Sequence, residues 1–411
     1  MTLLYGVLEM KRSNMYKRLD QCLCCGNTDL FTVLDLNTQP PANSFHKPEE
    51  QLPDYELKLM GCGRCWHTQL SVAVDPSELF KHYLYVSGTS KTLKEYFDWF
   101  AGVYHLPDFR KPRVLDIACN DGTQLDSFKD LGWDTWGVDP AENLHPVSTG
   151  KGHKVKCDFW NQETAKGMPK FDLITAQNVF AHTAEVSEFL KACKKVMRPD
   201  TILVIQTSQA MMFDRNEFDT IYHEHISFFS TSSMQAIAKK HKLFLHRAYT
   251  TDIHGTSYVF ELRKRPSDSS IVRQQLEEEQ YRYNRKFYAE YQTKAMECLT
   301  NLKNYIDLKR SAGVKVIGYG AAAKGMTVIN AGKIKLDYIV DDNPLKQGLL
   351  CPGSNIPVHG SDVLADERDN VVIVPLAWNF FDEIKAKARS LRPGYLDTFV
   401  KYFPVLKMET D

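Results

Sequence analysis

The sequence has no excess of either charge: among 411 residues, 51 lysines and arginines balance 51 aspartates and glutamates. A protein that binds a polyanion needs a basic surplus to displace counterions from phosphates. Nucleic acid is therefore not the expected partner, and a small anionic substrate fits the composition as well. Runs of 18 or more apolar residues are also missing, which leaves no candidate membrane span. The opening residues, MTLLYGVLEMKRS, are apolar but short, without a basic front or a small-residue cleavage site. They read as a frayed extension, and the chain as cytoplasmic. There is no internal repeat or low-complexity tract to suggest an array or a disordered tail.

What is present is ordinary globular composition, 43% hydrophobic and 25% charged, with length for two or three domains. The ten cysteines are unevenly spread: Cys22, Cys24, Cys25, Cys62 and Cys65 precede residue 66. CLCCG and CGRCW give Cys22-x-x-Cys25 and Cys62-x-x-Cys65, separated by 36 residues. A two-residue spacer lets both thiolates of a turn face one ion, and two such turns complete a tetrahedral zinc site. With all four positions used by Cys22, Cys25, Cys62 and Cys65, the expected metal is structural. Cys24 is the spare thiol, and the five later cysteines read as buried thiols.

From about residue 111, apolar runs alternate with amphipathic segments, the pattern of an α/β unit. RVLDIA (113–118) predicts a buried strand, CNDG a tight turn, TQLDSFKDLG a helix ended by Gly132, and TWGVD a second strand closing on Asp139. Ligands of such sheets sit outside the carboxyl ends of the strands, where Asp139 can accept from ribose hydroxyls. The phosphate-cradling G-x-G-x-x-G is missing; Gly122 stands alone in the loop, with Ala118 and Asn120 where glycines often lie. That argues against NAD here. Asp116 before the loop, Asn120 and the Asp121-Gly122 turn suit S-adenosylmethionine (SAM), which carries a cationic sulfonium and no phosphate. Pro140 follows Asp139, Asp158 falls where an adenine-contacting acid would lie, and Asn178 and His182 close the fourth strand. An α/β domain with another ligand is the alternative these residues leave open.

DTIYHEHISFF (219–229) packs two histidines, a glutamate and a tyrosine against an apolar run. It fits a metal site, a base with its orienting groups, or a solvated loop. His-x-His lacks the i, i+4 spacing of the helical zinc motif, and the flanking apolar residues argue for an anchored loop. Farther on, 269–313 has high helix propensity with apolar residues at helical spacing (Leu276, Phe287, Tyr291, Leu299, Leu302, Ile306), read as one long helix or two shorter ones. VKVIGYGAAAKGMTVIN then gives strand, glycine turn and helix. The small residues Ala321, Ala322 and Ala323 allow close backbone approach, and Lys324 adds positive charge at a helix N-terminus. LDYIVDDNPLK supplies a second strand ending at Asp341-Asp342, with Asn343 and Lys346 in reach of a diphosphate. Alone, this second, smaller Rossmann-like unit suggests NAD.

The tandem cysteine pairs, YLYVSGTS (83–90), CNDGT, FDTIYHEH (218–225), HGTSY (254–258) and GYGAAAKG (318–325) occur in this order. In this combination the chain resembles the nucleotide-sugar C-methyltransferases of deoxysugar pathways, especially those acting on dTDP-4-keto-hexoses at C-3. It departs at Ala118-Cys119, where the family commonly has Gly-Ser, and at HGTS with Tyr258, where HGGS and an arginine are favoured. The resemblance implies an α/β protein in three parts: a zinc-binding domain (1–80), a Rossmann-like SAM-dependent methyltransferase domain (81–268), and a helical connector with a smaller Rossmann-like nucleotide-sugar-binding domain (269–411). It implies His225 as the base that abstracts a proton beside the keto group, and Tyr222 as a donor to the enolate oxygen. Glu224 orients a histidine or binds the sugar, and His182 handles protons or stabilises the enolate. It also implies contacts from Tyr83, Tyr85 and Ser87 to cofactor and sugar, and a grip on the nucleotide diphosphate by residues 321–324, Asn343 and Lys346. Monomer and dimer are both left open, and O-methylation of a nucleotide sugar is the alternative reaction.

Overall fold

The computed structural model describes residues 15–80, 87–105, 111–266 and 268–410. The first strands are β1 (Tyr16–Arg18), β2 (Leu30–Gln39), β3 (Tyr55–Cys62), β4 (Thr68–Leu70) and β5 (Val72–Val74). β3 alternates strictly, with Tyr55, Leu57 and Leu59 inward, which fixes its register between β2 and β4. The three form an antiparallel sheet that gains a fourth strand from far along the chain, and β1 pairs separately with β5.

The central sheet has seven strands: β6 (Arg113–Ile117), β7 (Asp134–Asp139), β8 (Lys154–Cys157), β9 (Phe171–Gln177), β10 (Met197–Thr207), β12 (Phe244–Thr251) and β13 (Ser257–Arg263). The spatial order is β12-β13-β10-β9-β6-β7-β8. The five strands from β8 to β10 are parallel, and β13 is antiparallel to both β10 and β12. β9 is buried on both faces from Phe171 to Ala176, as expected of a strand covered by helices on either side. Chain order reverses between β6 and β9, and the loop after β6 opens at that point, where doubly wound sheets bind ligands. The strand omitted above, β11 (Ser227–Phe228), lies in the N-terminal sheet beside β4 instead.

Residues 269–313 form two helices, Ser270–Arg282 and Arg285–Ser311. Asn284 divides them: its side chain accepts from the Phe287 amide and caps the second. That helix buries Tyr288, Tyr291, Ala295, Leu299, Leu302 and Ile306, the i, i+3/i+4 stripe expected of a core-facing helix. The stripe shares one hydrophobic core with Leu34, Leu57 and Leu59 of the N-terminal sheet and with Val316, Met326 and Val374 of the last domain. The terminal domains are therefore packed through the helix rather than strung as beads.

The last sheet contains β14 (Val316–Tyr319), β15 (Tyr338–Val340), β16 (Val358–His359), β17 (Val372–Pro375), β18 (Thr398–Lys401) and β19 (Lys407–Thr410). Their order is β16-β15-β14-β17-β18-β19, parallel except for β19. Among the described residues, no helix is long and apolar enough to cross a membrane.

Candidate active site

The four thiol sulfurs of Cys22, Cys25, Cys62 and Cys65 lie within 4.8 Å of one another. The Cys22–Cys65 and Cys25–Cys62 pairs are 3.5 and 3.6 Å apart. Bonds of about 2.3 Å to a tetrahedral zinc imply sulfur–sulfur separations of about 3.8 Å, so the donor set fits that ion. The Arg64 amide and the Asn27 side chain both donate to the Cys62 sulfur, as suits a thiolate. Burial pushes the Cys25 thiol up to about 11, and a bound cation would favour its thiolate. A Cβ at Gly63 would meet the Asp29 carboxylate at 2.0 Å, so that exposed side chain would have to turn aside for any other residue.

A cavity of about 990 Å³ opens at the switch point and reaches all three domains. One end is built on the β6 loop. Ala118, Asn120 and Gly122 all take positive φ (61, 53 and 80°), coiling the loop so that its amides meet the acid of the next strand. Asp139 accepts from the Asn120 amide and the Ala141 amide, both at 2.8 Å, and burial raises its carboxyl. Asp116 accepts from the Thr175 hydroxyl at 2.8 Å, and burial lifts its carboxyl to about 7. Asp158 and Pro140 line the same end. The segment after the undescribed residues docks there too: the Ser87 amide donates to the Asn120 side chain at 2.9 Å, and the Gly88 amide to Asp121 at 3.1 Å.

This end fits SAM. Its walls carry three carboxylates and no phosphate cradle. Among the described residues, the buried Gln177 amide nitrogen and Asn178 side-chain oxygen have no hydrogen-bond partner, although both residues line the cavity. A polar ligand there removes the cost of leaving such groups unpaired. Ala118 in the left-handed region is strained by about 1 kcal/mol relative to glycine. Ala118→Gly is accordingly expected to raise stability by about 0.5–1 kcal/mol, read from chemical denaturation at an unchanged m-value.

The other end carries the 219–229 segment. His225 is buried, and its Nδ1 sits 2.7 Å from the Thr220 carbonyl oxygen. A carbonyl only accepts, so Nδ1 carries the proton and Nε2 presents the lone pair. The Tyr222 hydroxyl lies 3.0 Å from Nε2, and the His182 ring stands 5.0 Å away, edge to face. Burial, then the neighbouring His182 and Lys324, hold His225 well below the ordinary histidine range, so the imidazole is neutral at pH 7. Burial brings His182 down to about 4. Glu224 is buried in the same wall with its carboxyl raised to about 6 by burial, and it accepts from Asn43 at 2.6 Å. His223 points elsewhere, packing its ring 5.8 Å from that of Tyr55.

Lys324 enters the cavity from the helix Ala323–Gly332, its ammonium 5.2 Å from the Trp378 ring centre. The Trp378 indole donates to the buried Asp219 at 2.6 Å. Gln209, Glu217, Trp378 and Asn379 also line the wall and were not singled out from sequence. Gln209 and Trp378 follow β10 and β17 at their carboxyl ends, a topological signal that could have found them.

Of the expected site residues, the structure gathers Ser87, Asp116, Asn120, Asp139, Pro140, Asp158, Asn178, His182, Tyr222, Glu224, His225 and Lys324 in one cavity. Asp121 and Gly122 stay outside its lining. Asp121 caps the following helix through the Thr123 amide and hydroxyl, and Gly122 makes the turn. Ala321, Ala322, Ala323, Asn343 and Lys346 are not brought there either. The reason is local satisfaction: Asp341 takes the Ala321 and Asn343 amides at 2.6 and 2.8 Å, and the Lys346 ammonium lies 2.7 Å from the Ala321 carbonyl and over the Phe45 ring. Tyr83 and Tyr85 lie outside the described residues.

Comparison with known proteins agrees with this architecture. Residues 22–80 match a zinc binding domain, 90–244 a methyltransferase domain, and 252–404 the C-methyltransferase C-terminal domain. The fold and site thus define a SAM-dependent methyltransferase. More narrowly, its N-terminal and C-terminal segments are similar to the zinc-binding domain and the C-terminal domain of C-methyltransferases. It is 27% identical to the C-methyltransferase NovU of Streptomyces niveus, over 90% of this chain and 92% of that protein. The ubiquinone biosynthesis O-methyltransferase of Bradyrhizobium diazoefficiens is 30% identical over 23% of this chain and 39% of its own length. Among solved structures, the magnesium protoporphyrin IX methyltransferase of Synechocystis with bound SAM is 15% identical and has a TM-score of 0.33, covering 43% of this chain and 80% of that one.

Proposed function

We propose that the enzyme methylates carbon, at C-3 of a nucleotide-linked 4-keto-hexose, with a dTDP sugar as the first choice, by base-catalysed enolisation. The observation that carries this reading is the tautomer of His225: Nδ1 is held at the Thr220 carbonyl, which leaves Nε2 as the basic nitrogen of a residue lining the cavity shared with the cofactor end. SAM supplies an electrophilic methyl group when bound.

His225 takes the proton from the carbon beside the ketone, leaving the electron pair delocalised onto the ketone oxygen. Its low basicity in the resting protein is matched by what the reaction creates, because an enolate beside the imidazolium favours both charges at once. Lys324, whose charge depresses the imidazole, favours that same negative oxygen. Tyr222, hydrogen-bonded to Nε2 at rest, is within reach to donate to the enolate. Lys324, Trp378 and Asn379 extend the wall into the last domain, where the nucleotide portion of the substrate is proposed to lie. A thiolate-ligated ion and a nucleotide-activated sugar both suit work in the cytoplasm.

The test is methyl transfer from labelled SAM to a panel of dTDP- and GDP-linked 4-keto sugars, with the product read by NMR. A new methyl on carbon is the expected result. Label found only as an O-methyl ether would replace this reading with O-methylation.

A further inference from the structure

The N-terminal domain holds the segment that carries the base from two sides. β11 begins two residues after His225 and pairs with β4, Ser227 opposite Gln69 and Phe228 opposite Thr68. The Leu70 amide donates to the Ile226 carbonyl at 2.8 Å. Gln69 is fully buried, and its side chain accepts from the Leu23 amide at 2.8 Å and donates to the Gln21 carbonyl at 3.0 Å. One residue thus grips the first cysteine knuckle and pairs with the strand following His225. On the other side, Asn43, in the loop after β2, reaches across 181 positions to donate to Glu224. It is the one side-chain partner of that buried carboxylate among the described residues.

We propose that the zinc-binding domain acts in catalysis as a positioning element, with Asn43 orienting the Glu224 carboxylate beside the base. The proposal rests on the reading of Tyr222, Glu224 and His225 as the reacting segment. The physical argument starts from the carboxylate itself. The cavity it lines also carries Tyr222 and His225 from its own segment, His182 from the turn after β9, and Glu217 and Lys324, while Asn43 is the group that acts on the carboxylate directly. Burial favours its neutral form, and the amide of Asn43 works against that by donating to the ionised form. Without the donor, the group loses both its fixed orientation and part of its charge near neutral pH.

The experiment compares wild type, Asn43→Ala and Asn43→Gln. It uses two readouts: the pH profile of kcat on a 4-keto sugar nucleotide, and the titration of Glu224 by 13C NMR of labelled glutamate, assigned with Glu224→Gln. The NMR titration needs no substrate. Asn43→Ala is expected to lower kcat about tenfold with KM for SAM unchanged, and to move the acid limb and the Glu224 titration up by about one pH unit. Asn43→Gln, which keeps the donor, is expected to restore both. An unchanged titration and acid limb in Asn43→Ala would overturn the proposal, even if the melting temperature fell. A wild type inactive on every keto sugar would instead remove the functional reading, while the NMR titration would still decide the Asn43 contact.

Discussion

Replacing His225 by glutamine is expected to lower methyl transfer by about a thousandfold while leaving SAM affinity within about twofold of wild type. The loss follows from the geometry. Nδ1 is committed to the Thr220 carbonyl, so Nε2 is the site that can accept a proton, and an amide offers no equivalent basicity. Binding is expected to persist because the carboxylates proposed to hold the cofactor, Asp116, Asp139 and Asp158, belong to other strands, β6, β7 and the end of β8. His223→Gln is the control. That side chain packs against Tyr55 and is absent from the cavity lining, so its loss should lower stability and leave turnover within a few-fold. Single-turnover kinetics and calorimetric titration with SAM distinguish the two variants. Wild-type turnover in His225→Gln would exclude this residue as the base.

The second large effect is expected from the metal site. Cys62→Ser removes one of four thiolate ligands, and structural zinc contributes about 10–16 kcal/mol of binding free energy to small zinc domains. Part of that is recovered by a weakened three-ligand site, so a fall of about 10 °C in the melting temperature, with loss of bound zinc, is the expected outcome. The knuckle does not unfold alone. Cys22, Cys24 and Cys62 share a hydrophobic core with Leu115, Ile174 and Phe229, so melting it exposes part of the methyltransferase sheet as well. Metal analysis alongside scanning calorimetry checks this. A variant that keeps the wild-type melting temperature after losing zinc would show that the metal does not support the fold.

Much of this is legible in the sequence. The central domain announced itself because its strands are short apolar runs with Asp116, Asp139 and Asn178 at or beside their carboxyl ends, and strand ends are where such sheets bind ligands. The knuckles were legible because two-residue spacing is a local property. The division of 269–313 into two helices hangs on one residue, Asn284, whose capping role is visible only once its side chain is seen on the Phe287 amide. Contacts between distant segments left no local trace. Asn43 meets Glu224, Trp378 meets Asp219, and β11 leaves its neighbours to join β4, each across more than 150 positions. The alanine turn at 321–323 shows the opposite case, a motif that does not line the cavity. Its sequence resembles a ligand cradle, but Asp341 and Lys346 bond the Ala321 amide and carbonyl, and of residues 321–324 Lys324 alone lines the cavity.

The most direct test of enolisation omits the methyl donor's chemistry altogether. Wild type and His225→Gln are incubated in deuterium oxide with a dTDP-4-keto-hexose and the demethylated cofactor product, and the sugar is followed by proton NMR. Loss of the C-3 proton signal with wild type, and its retention with His225→Gln, is the result predicted for a base poised beside the ketone. Methyl transfer to C-3 without any exchange by wild type, or equal exchange by both proteins, would contradict it.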